Sequence, residues 1–335
     1  MLRGQRLFEH VLVTGGAGYV GSALVPRLLD AGYRVTVMDL YLYGRDVFRA
    51  YRGDRLREVE GDVRDAKLVR QALGGADALV HLACISNDPS YDLDPRLGKS
   101  INFDAFEPLL QSATEAGVRR FVYASSSSVY GLRDEPDITE ALEPKPLTDY
   151  SRYKALCEDI LHDRRSDGLT AVTVRPATVC GYAARLRLDL TVNIFTNHAI
   201  SKNLITVFGG EQLRPNIHID DMVDFYLYLL EQPASRIDNE IFNVGSDNLS
   251  LIEIAETVRD TLDADVGIRV TASEDRRSYR VSSAKARTKL GFSPTRSIAD
   301  AVRDLRGAFR AGKVPNSLED PRYFNIKRMQ EARLH

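Results

Sequence analysis

The stretch His10-Val-Leu-Val-Thr-Gly-Gly-Ala-Gly-Tyr-Val-Gly-Ser22 decides the fold. Its first five residues form a short, mostly β-branched run, which predicts a strand buried in a parallel sheet. Glycines follow at positions 15, 18 and 21, and residues 22–31 then have a helical pattern. Arg34-Val-Thr-Val-Met-Asp39 predicts a second strand. Residues 10–39 therefore form one strand–helix–strand unit.

Strands and helices continue to alternate up to about residue 180. The predicted strands are 56–59, 78–83, 120–124 and 170–175, and the predicted helices are 66–73, 102–116 and 150–164. This alternation predicts a Rossmann-type, doubly wound α/β fold, with helices on both faces of a parallel sheet.

Beyond residue 180 the alternation weakens, which predicts a smaller C-terminal α/β lobe. Its predicted helices are 193–202, 220–231 and 250–262, and its predicted strand is 205–208. We assign residues 1–181 to a Rossmann domain and 182–335 to a substrate-binding lobe. Some segments of that lobe are expected to rejoin the main sheet, and a cleft is expected between the two parts.

The composition excludes several classes of protein. The 335 residues carry 45 Lys and Arg against 47 Asp and Glu, a formal charge of −2, which argues against a nucleic-acid binder. There is no run of about 18 apolar residues and no apolar signal segment, so we expect neither a membrane span nor secretion. Three widely spaced cysteines, at positions 84, 157 and 180, suit a reducing cytoplasm.

The glycine pattern gains meaning from its place between a strand and a helix. Gly15 allows a tight turn there, Gly18 lets a pyrophosphate approach the backbone, and Gly21 lets the helix pack closely. Asp39 ends the second strand, where a carboxylate binds a ribose diol and repels a 2′-phosphate. The unit therefore predicts NAD(H) rather than NADP(H). The alternative is a glycine turn beside a solvated aspartate.

Asp62 and Val63 follow the third predicted strand. Their position suits a carboxylate beside the adenine amino group and an apolar contact with the adenine ring. The alternative for Asp62 is a simple helix N-cap.

A second group of reactive residues lies at the start of the helix predicted over 150–164. Tyr150 and Lys154 are four residues apart and therefore share one helix face, whereas Tyr153 lies on another. A nearby ammonium ion and an oxidised nicotinamide should lower the pKa of Tyr150 and let it act as a general base or acid. The run Ser125-Ser-Ser-Ser128 follows the strand 120–124, at the ligand edge of such a sheet, and can bond a substrate hydroxyl.

Together these motifs resemble the extended short-chain dehydrogenase/reductase family, which includes the nucleotide-sugar epimerases and dehydratases. The matching pieces are Thr14-Gly-Gly-Ala-Gly-Tyr-Val-Gly-Ser22, Gly61-Asp-Val-Arg-Asp65, His81-Leu-Ala83, Ser125-Ser-Ser-Ser-Val-Tyr-Gly131, Tyr150-x-x-x-Lys154, Arg175-Pro-Ala-Thr-Val179 and Arg214-Pro-Asn-Ile-His-Ile-Asp220. The resemblance implies that Tyr150 is the acid/base, that Lys154 holds the nicotinamide ribose, and that Ser126 assists. Ser127 and Ser128 are adjacent alternatives to Ser126.

The same resemblance implies a cofactor site and an assembly. The implied NAD-binding residues are Gly15, Gly18, Tyr19, Val20, Gly21, Asp39, Asp62, Val63, Leu82, Ala83, Asn102, Tyr150, Lys154 and Ala177. The family's common pairing of two helices implies a homodimer formed through residues near 103–115 and 150–164.

The two residues after Ser126 distinguish reactions within the family. In 4,6-dehydratases they resemble Asp-Glu, the acid and base that remove water, whereas Ser127 and Ser128 cannot perform that proton transfer. The resemblance therefore implies a nucleotide-sugar 4-epimerase that acts through a 4-keto intermediate. The alternatives are a nucleotide-sugar 4-dehydrogenase or ketoreductase, a 4,6-dehydratase, and a non-catalytic NAD-sensing protein.

The second lobe carries candidate residues for a nucleotide-diphosphate sugar. Asn193 and Arg214 match substrate-binding residues of the family, and Arg187 and Arg277 are further candidates because a guanidinium fork binds phosphate oxygens in pairs. Each arginine could instead form a surface ion pair. The full predicted substrate set is Ser86, Asn87, Ser126, Ser127, Thr178, Arg187, Asn193, Arg214 and Arg277.

Two further features of the sequence concern the substrate and metal binding. Residues 187–193 also resemble a branch that contains a GDP-heptose 4-dehydrogenase, and Thr178 and the loop 85–90 depart from the galactose epimerases. No metal site is predicted, because His81 and His218 lack partners at ligand spacing.

Overall fold

The strands of the first half match the predicted positions closely, and additional strands occur in the second half. The computed structural model describes residues 6–86, 88–133, 135–273, 278 and 280–332. The strands are β1 (His10–Thr14), β2 (Arg34–Asp39), β3 (Leu56–Glu60), β4 (Ala78–His81), β5 (Arg120–Ala124), β6 (Thr170–Pro176), β7 (Thr178–Cys180), β8 (Leu204–Phe208), β9 (Leu213–His218), β10 (Glu240–Val244), β11 (Asp247–Ser250) and β12 (Gly267–Thr271). The α-helices are α1 (Gly21–Asp30), α2 (Ala66–Leu73), α3 (Asp88–Tyr91), α4 (Pro95–Lys99), α5 (Phe106–Glu115), α6 (Asp149–Arg164), α7 (Thr191–Lys202), α8 (Ile219–Glu231), α9 (Ala234–Ile237), α10 (Leu251–Leu262), α11 (Ile298–Arg310) and α12 (Asn325–Ala332).

Seven of the described strands form one parallel sheet in the order β3-β2-β1-β4-β5-β6-β10. The strand order reverses between β1 and β4, and such a switch point opens a crevice at the carboxyl ends of the strands. This arrangement confirms the predicted Rossmann-type α/β fold. β10 lies beyond residue 181 yet pairs with β6 in the main sheet. The division into 1–181 and 182–335 stays a prediction.

Apolar side chains cover both faces of this sheet. Val11 and Val13 of β1 belong to a core that includes residues of α1 and α8, whereas Leu12 belongs to a core that includes residues of α2, α5 and α6. Side chains alternate between the faces along a strand, so one apolar run serves both cores. The two cores hold the carboxyl ends of the strands, and the loops that follow them, in fixed positions.

The helix predicted over 102–116 is interrupted. Residues Ser100–Asp104 form a π-helical turn, in which the Ala105 N–H bonds the Ser100 carbonyl, and α5 begins only at Phe106. Pro108 supplies a physical reason, since it has no N–H to donate to the Asp104 carbonyl four residues earlier.

The second half adds two small sheets and a helical layer. These sheets have the orders β11-β9-β7 and β12-β8, and α7, α10 and α11 pack around an apolar cluster that includes Val192, Ile254 and Val302. The sequence analysis did not predict β9 to β12, α11 or α12. Within the described ranges no helix has both the length and the apolar character needed to cross a membrane.

Candidate active site

A cavity of about 530 Å³ opens at the carboxyl ends of the main-sheet strands. Its wall comes from the loops after β1 to β6 and, on the opposite side, from residues 185–191, Arg214, Asn325 and Met329. Most predicted site residues line this cavity: Gly15, Gly18, Tyr19, Val20, Gly21, Asp39, Asp62, Val63, Leu82, Ala83, Ser86, Ser126, Ser127, Tyr150, Lys154, Ala177, Thr178, Arg187 and Arg214. Asn102 and Asn193 do not line it, and Asn87 and Arg277 lie outside the described residues.

The glycine loop fits a bound diphosphate. Gly15 has a φ of +71°, and a Cβ on it would lie 2.5 Å from the Ala83 nitrogen, so the loops after β1 and β4 touch at this point. A Cβ on Gly18 would have one close neighbour, the Gly15 oxygen at 3.1 Å. Gly18 therefore presents bare backbone to the cavity at the N-terminus of α1, where N–H groups attract phosphate oxygens.

Asp39 ends β2 and ties the glycine loop to it. Its carboxylate accepts hydrogen bonds from the backbone N–H groups of Ala17, at 2.9 Å, and Tyr41, at 2.8 Å. Burial raises the pKa of the Asp39 carboxyl, and these N–H bonds act in the opposite direction. A carboxylate with two oxygens retains acceptor capacity toward a diol after these bonds.

Asp62 lines the cavity and does not cap α2. Asp65 is the N-cap, with its carboxylate accepting from the N–H groups of Lys67 and Leu68. Asp62 instead pairs with Arg64 at 2.7 Å. The N-cap alternative for Asp62 is therefore wrong.

The catalytic candidates meet at the ends of β5 and α6. Ser126, Tyr150 and Lys154 all line the cavity, and the Ser126 hydroxyl is near enough to Tyr150 to favour its phenolate. The Ser126 Oγ also lies 2.8 Å from the Ser128 Oγ. Thr148 caps α6 in a reciprocal arrangement with Ser151, which fixes the start of the helix that carries Tyr150 and Lys154.

The expectation of a lowered Tyr150 pKa included an oxidised nicotinamide beside the ring, and it stays a prediction for the enzyme with NAD bound. Burial raises the pKa of the Tyr150 hydroxyl, and the nearby Asp88 carboxylate acts in the same direction. The Lys154 Nζ donates to the Ala124 carbonyl at 2.6 Å. The neighbouring Ser126 hydroxyl and the charge of Arg187 are the contributions that favour the phenolate.

Tyr153 occupies a different environment from Tyr150. Its ring is buried against Phe103, with centroids 5.0 Å apart, and against Tyr91, at 6.1 Å. It does not line the cavity. The helix register inferred from the Tyr150 and Lys154 spacing is therefore the one the structure has.

A buried polar network lies beneath the serine loop, residues 125–128. Arg175 of β6 donates to the Glu158 carboxylate through its Nε and Nη2 atoms, and its Nη1 donates to the Tyr130 hydroxyl at 2.8 Å. Ser125 donates to the same carboxylate. The network joins β6, α6 and the serine loop, so it fixes the position of Ser126 relative to Tyr150.

Asn102 and Asn193 have structural positions rather than the predicted ligand-facing ones. The Asn102 side chain bonds both backbone groups of Ile85, at 2.8 and 2.9 Å, and so holds the loop after β4. The Asn193 amide bonds Gly181 N, at 2.9 Å, and Arg187 O, at 2.8 Å. Both side chains are buried, and each supports a loop whose other residues reach the cavity.

Arg187 reaches the cavity from the second lobe. Its Nε donates to Asp189 at 2.6 Å and its Nη1 to the Ser86 Oγ at 3.1 Å, whereas its buried Nη2 has no hydrogen-bond partner among the described residues. Buried nitrogen atoms without partners are uncommon. The free Nη2 is therefore suited to an oxygen of a ligand.

Sequence reasoning missed several lining residues, among them Asp88, Arg185 and Asn325. Asp88 accepts a hydrogen bond from the Thr148 Oγ1 at 2.6 Å, beside Tyr150. Arg185 and Asn325 line the opposite wall and bond each other. Arg185 lies two residues before Arg187 and offered a signal in its residue type. Asn325 offered none, because it arrives from the far end of the chain.

His218 has neighbours that the sequence analysis did not foresee. Within the described part of the chain, Asp220 and Asp304 lie close enough to His218 to form a three-residue group. The His218 Nδ1 accepts from the Asp220 N–H at 3.1 Å, so a neutral ring carries its proton on Nε2, which lies 3.2 Å from the Asp304 carboxylate. That tautomer leaves no lone pair on Nε2 for a cation.

Comparison with known proteins identifies the family. The model of the NAD dependent epimerase/dehydratase family matches residues 11–245. The chain belongs to this family. A dTDP-glucose 4,6-dehydratase of Streptomyces griseus is 31% identical over 88% of this chain and 92% of its own length. A UDP-glucose 4-epimerase of Streptomyces lividans is 30% identical over 88% of this chain and 94% of its own length.

A solved structure agrees with this assignment. The dTDP-glucose 4,6-dehydratase DesIV of Streptomyces venezuelae, crystallised with NAD, superposes with a TM-score of 0.82 at 28% identity, covering 93% of this chain and 99% of that one. The chain is therefore an NAD-dependent enzyme of the nucleotide-sugar epimerase/dehydratase type. Both reactions occur among its relatives, so the choice between them depends on the site.

Proposed function

We propose that the protein is an NAD-dependent nucleotide-sugar 4-epimerase. The observation that carries this proposal is the composition of the catalytic end of the cavity. Ser126 contacts Tyr150 there, and the next two residues are Ser127 and Ser128. Serine hydroxyls do not titrate near neutral pH, so this pair cannot replace the acid and base that remove water from a sugar. Oxidation and reduction at C4 need Tyr150 alone for proton transfer.

Each residue has a definite part in this proposal. Tyr150 takes the proton of the C4 hydroxyl, and Ser126 holds that hydroxyl and the Tyr150 oxygen in line. Lys154, anchored on the Ala124 carbonyl, is placed to bind the nicotinamide ribose. When bound, NAD accepts the C4 hydride and returns it. After the sugar turns its other face to the site, Tyr150 gives the proton back and the epimer forms.

The cofactor residues follow from the same geometry. Asp39 at the end of β2 would bind the adenine ribose, and its charge would exclude the 2′-phosphate of NADP. Asp62 and Val63 would contact the adenine. Gly18 at the N-terminus of α1 would face the diphosphate.

The substrate is proposed to bind along the cavity wall that carries Arg187 and Arg214. Arg187 and Arg214 would bind its diphosphate, and Ser86, Ser127 and Thr178 would contact the sugar. Asn87 and Arg277 remain predictions as further contacts. Asp88 disfavours sugars with a carboxylate near C4, because its own charge would repel them.

The decisive experiment supplies purified protein with a panel of UDP-, dTDP- and GDP-hexoses in heavy water, without added cofactor. We expect the C4 epimer of one sugar, with no deuterium at C4, and the same NAD content before and after turnover. Stoichiometric accumulation of NADH with a released ketone would identify the alternative, a 4-dehydrogenase. Loss of water from C5 and C6 would identify a dehydratase and exclude the proposal.

A homodimer through α5 and α6 belongs to the same proposal. Leu156 of α6 is an apolar residue with 38% of its surface exposed, flanked by charged residues of the same helix. Pairing of α6 with α6 of a second copy would cover it. Light scattering after size-exclusion chromatography should give twice the monomer mass, and Leu156→Glu should give the monomer mass with an unchanged circular dichroism spectrum.

A further inference from the structure

Arg185 is a buried cation that forms no ion pair in the described structure, although the charges of Asp39 and Asp189 act on it. It lies between β7 and α7, is 5% exposed, and lines the cavity. Its Nη2 donates to the Asn325 side chain, its guanidinium carbon lies 3.5 Å from the centre of the Tyr43 ring, and its Nε has no hydrogen-bond partner. Among the described residues, no carboxylate forms an ion pair with it.

This arrangement is costly for the protein alone. Buried charges are normally paired, because a charge removed from water without compensation is strongly disfavoured. Burial lowers the pKa of Arg185 to about 10, and the charge of Arg187 acts in the same direction. An anion in the cavity would relieve both effects. A buried guanidinium that lines the cavity and forms no ion pair indicates an anionic oxygen of a ligand beside it.

The position of Arg185 identifies which part of the cavity that oxygen occupies. Its backbone N–H donates to the Ser22 Oγ at 3.1 Å, and Ser22 is the second residue of α1. Its side chain lies near Asp39 and against Tyr43, both on the β2 side. Arg185 therefore sits over the glycine loop, where the N-terminus of α1 already attracts phosphate.

We propose that Arg185 of the second lobe binds the cofactor diphosphate. It contacts the diphosphate on the side opposite the glycine loop. The proposal rests on the proposed use of NAD at this site. Asn325 of α12 orients the guanidinium, so the C-terminal helix takes part indirectly. The resulting clamp joins the Rossmann sheet, residues 183–190 and α12 through one bound anion, which slows release of the cofactor.

Arg187 differs from Arg185 in where it points. It contacts Ser86 and Asp189, and its charge acts on Tyr150. The two neighbouring arginines therefore divide the cavity, with Arg185 on the cofactor diphosphate and Arg187 on the substrate diphosphate. A cofactor held in this way suits a reaction that returns its hydride in every turnover, since no exchange of NAD is needed.

The test compares Arg185→Met with Arg187→Met as matched variants, because methionine keeps an unbranched apolar stem and removes the charge. Cofactor-free protein is titrated with ADP-ribose, which carries the diphosphate, and with adenosine, which lacks it. We expect Arg185→Met to weaken ADP-ribose binding by roughly 10- to 100-fold, as for the loss of hydrogen bonds to a charged group. Adenosine affinity should stay within about twofold. Arg187→Met should leave both affinities nearly unchanged.

The second arm titrates NAD-saturated protein with UDP, dTDP and GDP. For whichever nucleotide binds, Arg187→Met should weaken binding and Arg185→Met should not. The opposite pattern would assign Arg185 to the substrate and overturn the proposal, as would equal losses of ADP-ribose and adenosine affinity. If no nucleotide binds the wild-type protein, the proposed function fails while the first arm still decides the role of Arg185. If Arg185→Met does not fold, Arg185→Lys is tested instead. It must weaken ADP-ribose binding by less than is expected of Arg185→Met and leave adenosine binding unchanged.

Discussion

Two buried arginines, ten positions apart in the chain, show how differently the two walls of the cavity are built. Arg175, in the Rossmann sheet, is 2% exposed and lies 2.5 Å from the Glu158 carboxylate, and the charge of that carboxylate raises the Arg175 pKa despite burial. Arg185, on the second-lobe wall, is similarly buried but faces an amide and an aromatic ring. Burial lowers its pKa to about 10.

The difference indicates where each wall finds its stability. The network of Arg175, Glu158 and Tyr130 is complete within the protein, so its loss should appear in the free energy of unfolding. The wall that carries Arg185 and Arg187 keeps buried nitrogen atoms without partners. Substitution of Arg185 or Arg187 should therefore appear as a loss of ligand affinity.

The largest effect is expected from Tyr150→Phe. The variant keeps the ring but removes the group placed to take the C4 proton, so kcat should fall by roughly 10²- to 10⁴-fold, with substrate binding little changed. Steady-state kinetics and nucleotide-sugar titration measure the two quantities. Tyr153→Phe is the matched control, because that ring packs against Phe103 away from the cavity. An inactive Tyr153 variant beside an active Tyr150 variant would show that the helix register is misassigned.

Glu158→Ala should destabilise the protein by about 3–5 kcal/mol, because it leaves the Arg175 charge buried without its partner. Urea denaturation of the cofactor-free protein measures this loss. Glu60→Ala is the control, since Glu60 pairs with Arg45 at the surface, away from α5 and α6, and such pairs contribute less than about 1 kcal/mol. The double variant Glu158→Ala with Arg175→Met should recover part of the stability. An unchanged unfolding midpoint in Glu158→Ala would remove the basis of the comparison.

The glycine loop, the strands around it and the Tyr150–Lys154 pair could be predicted because their signals are local. A β-branched run, a glycine spacing or a four-residue interval is complete within one element, and parallel strands then bring the element ends to one edge. Ser126 could be placed beside Tyr150 for the same reason.

Other parts of the site depend on contacts between distant segments. Asn325 reaches Arg185 and Ser86 from 140 and 239 positions away, so no local pattern could reveal it. The direction of the Tyr150 pKa in the protein itself depends on burial and on Asp88, which belongs to another segment, so the spacing of Tyr150 and Lys154 could not reveal it. Asn102 and Asn193 matched a pattern, yet their amides bond backbone groups of nearby loops.

A smaller effect is expected at Asp39. Asp39→Ala combined with Leu40→Arg should weaken NAD⁺ binding by roughly tenfold and improve NADP⁺ binding, because a repelling carboxylate is replaced by a cation near the ribose. Isothermal titration of both dinucleotides gives the ratio of affinities. Asp65→Ala serves as the control, since Asp65 caps α2 and does not line the cavity. A wild-type preference for NADP⁺ would contradict the assignment of Asp39.

The smallest effect concerns His81, which tests whether the Rossmann wall avoids uncompensated charge altogether. Burial lowers the pKa of His81 to about 3, and its Nδ1 lies 2.7 Å from the Thr14 Oγ1. Between pH 6.5 and 3 the unfolded chain therefore binds a proton that the folded protein does not, so stability falls as the pH falls. From pH 7.5 to 5.5 this residue should account for about 1.4 kcal/mol. The free energy of unfolding is measured at both pH values. In His81→Asn its fall from pH 7.5 to 5.5 should be smaller than in the wild type by this amount. His162→Asn, at an exposed position, is the control and should leave the fall unchanged. Equal pH dependence in all three proteins would mean that His81 accepts its proton in the folded state, and that this wall tolerates an unpaired charge as the opposite wall does.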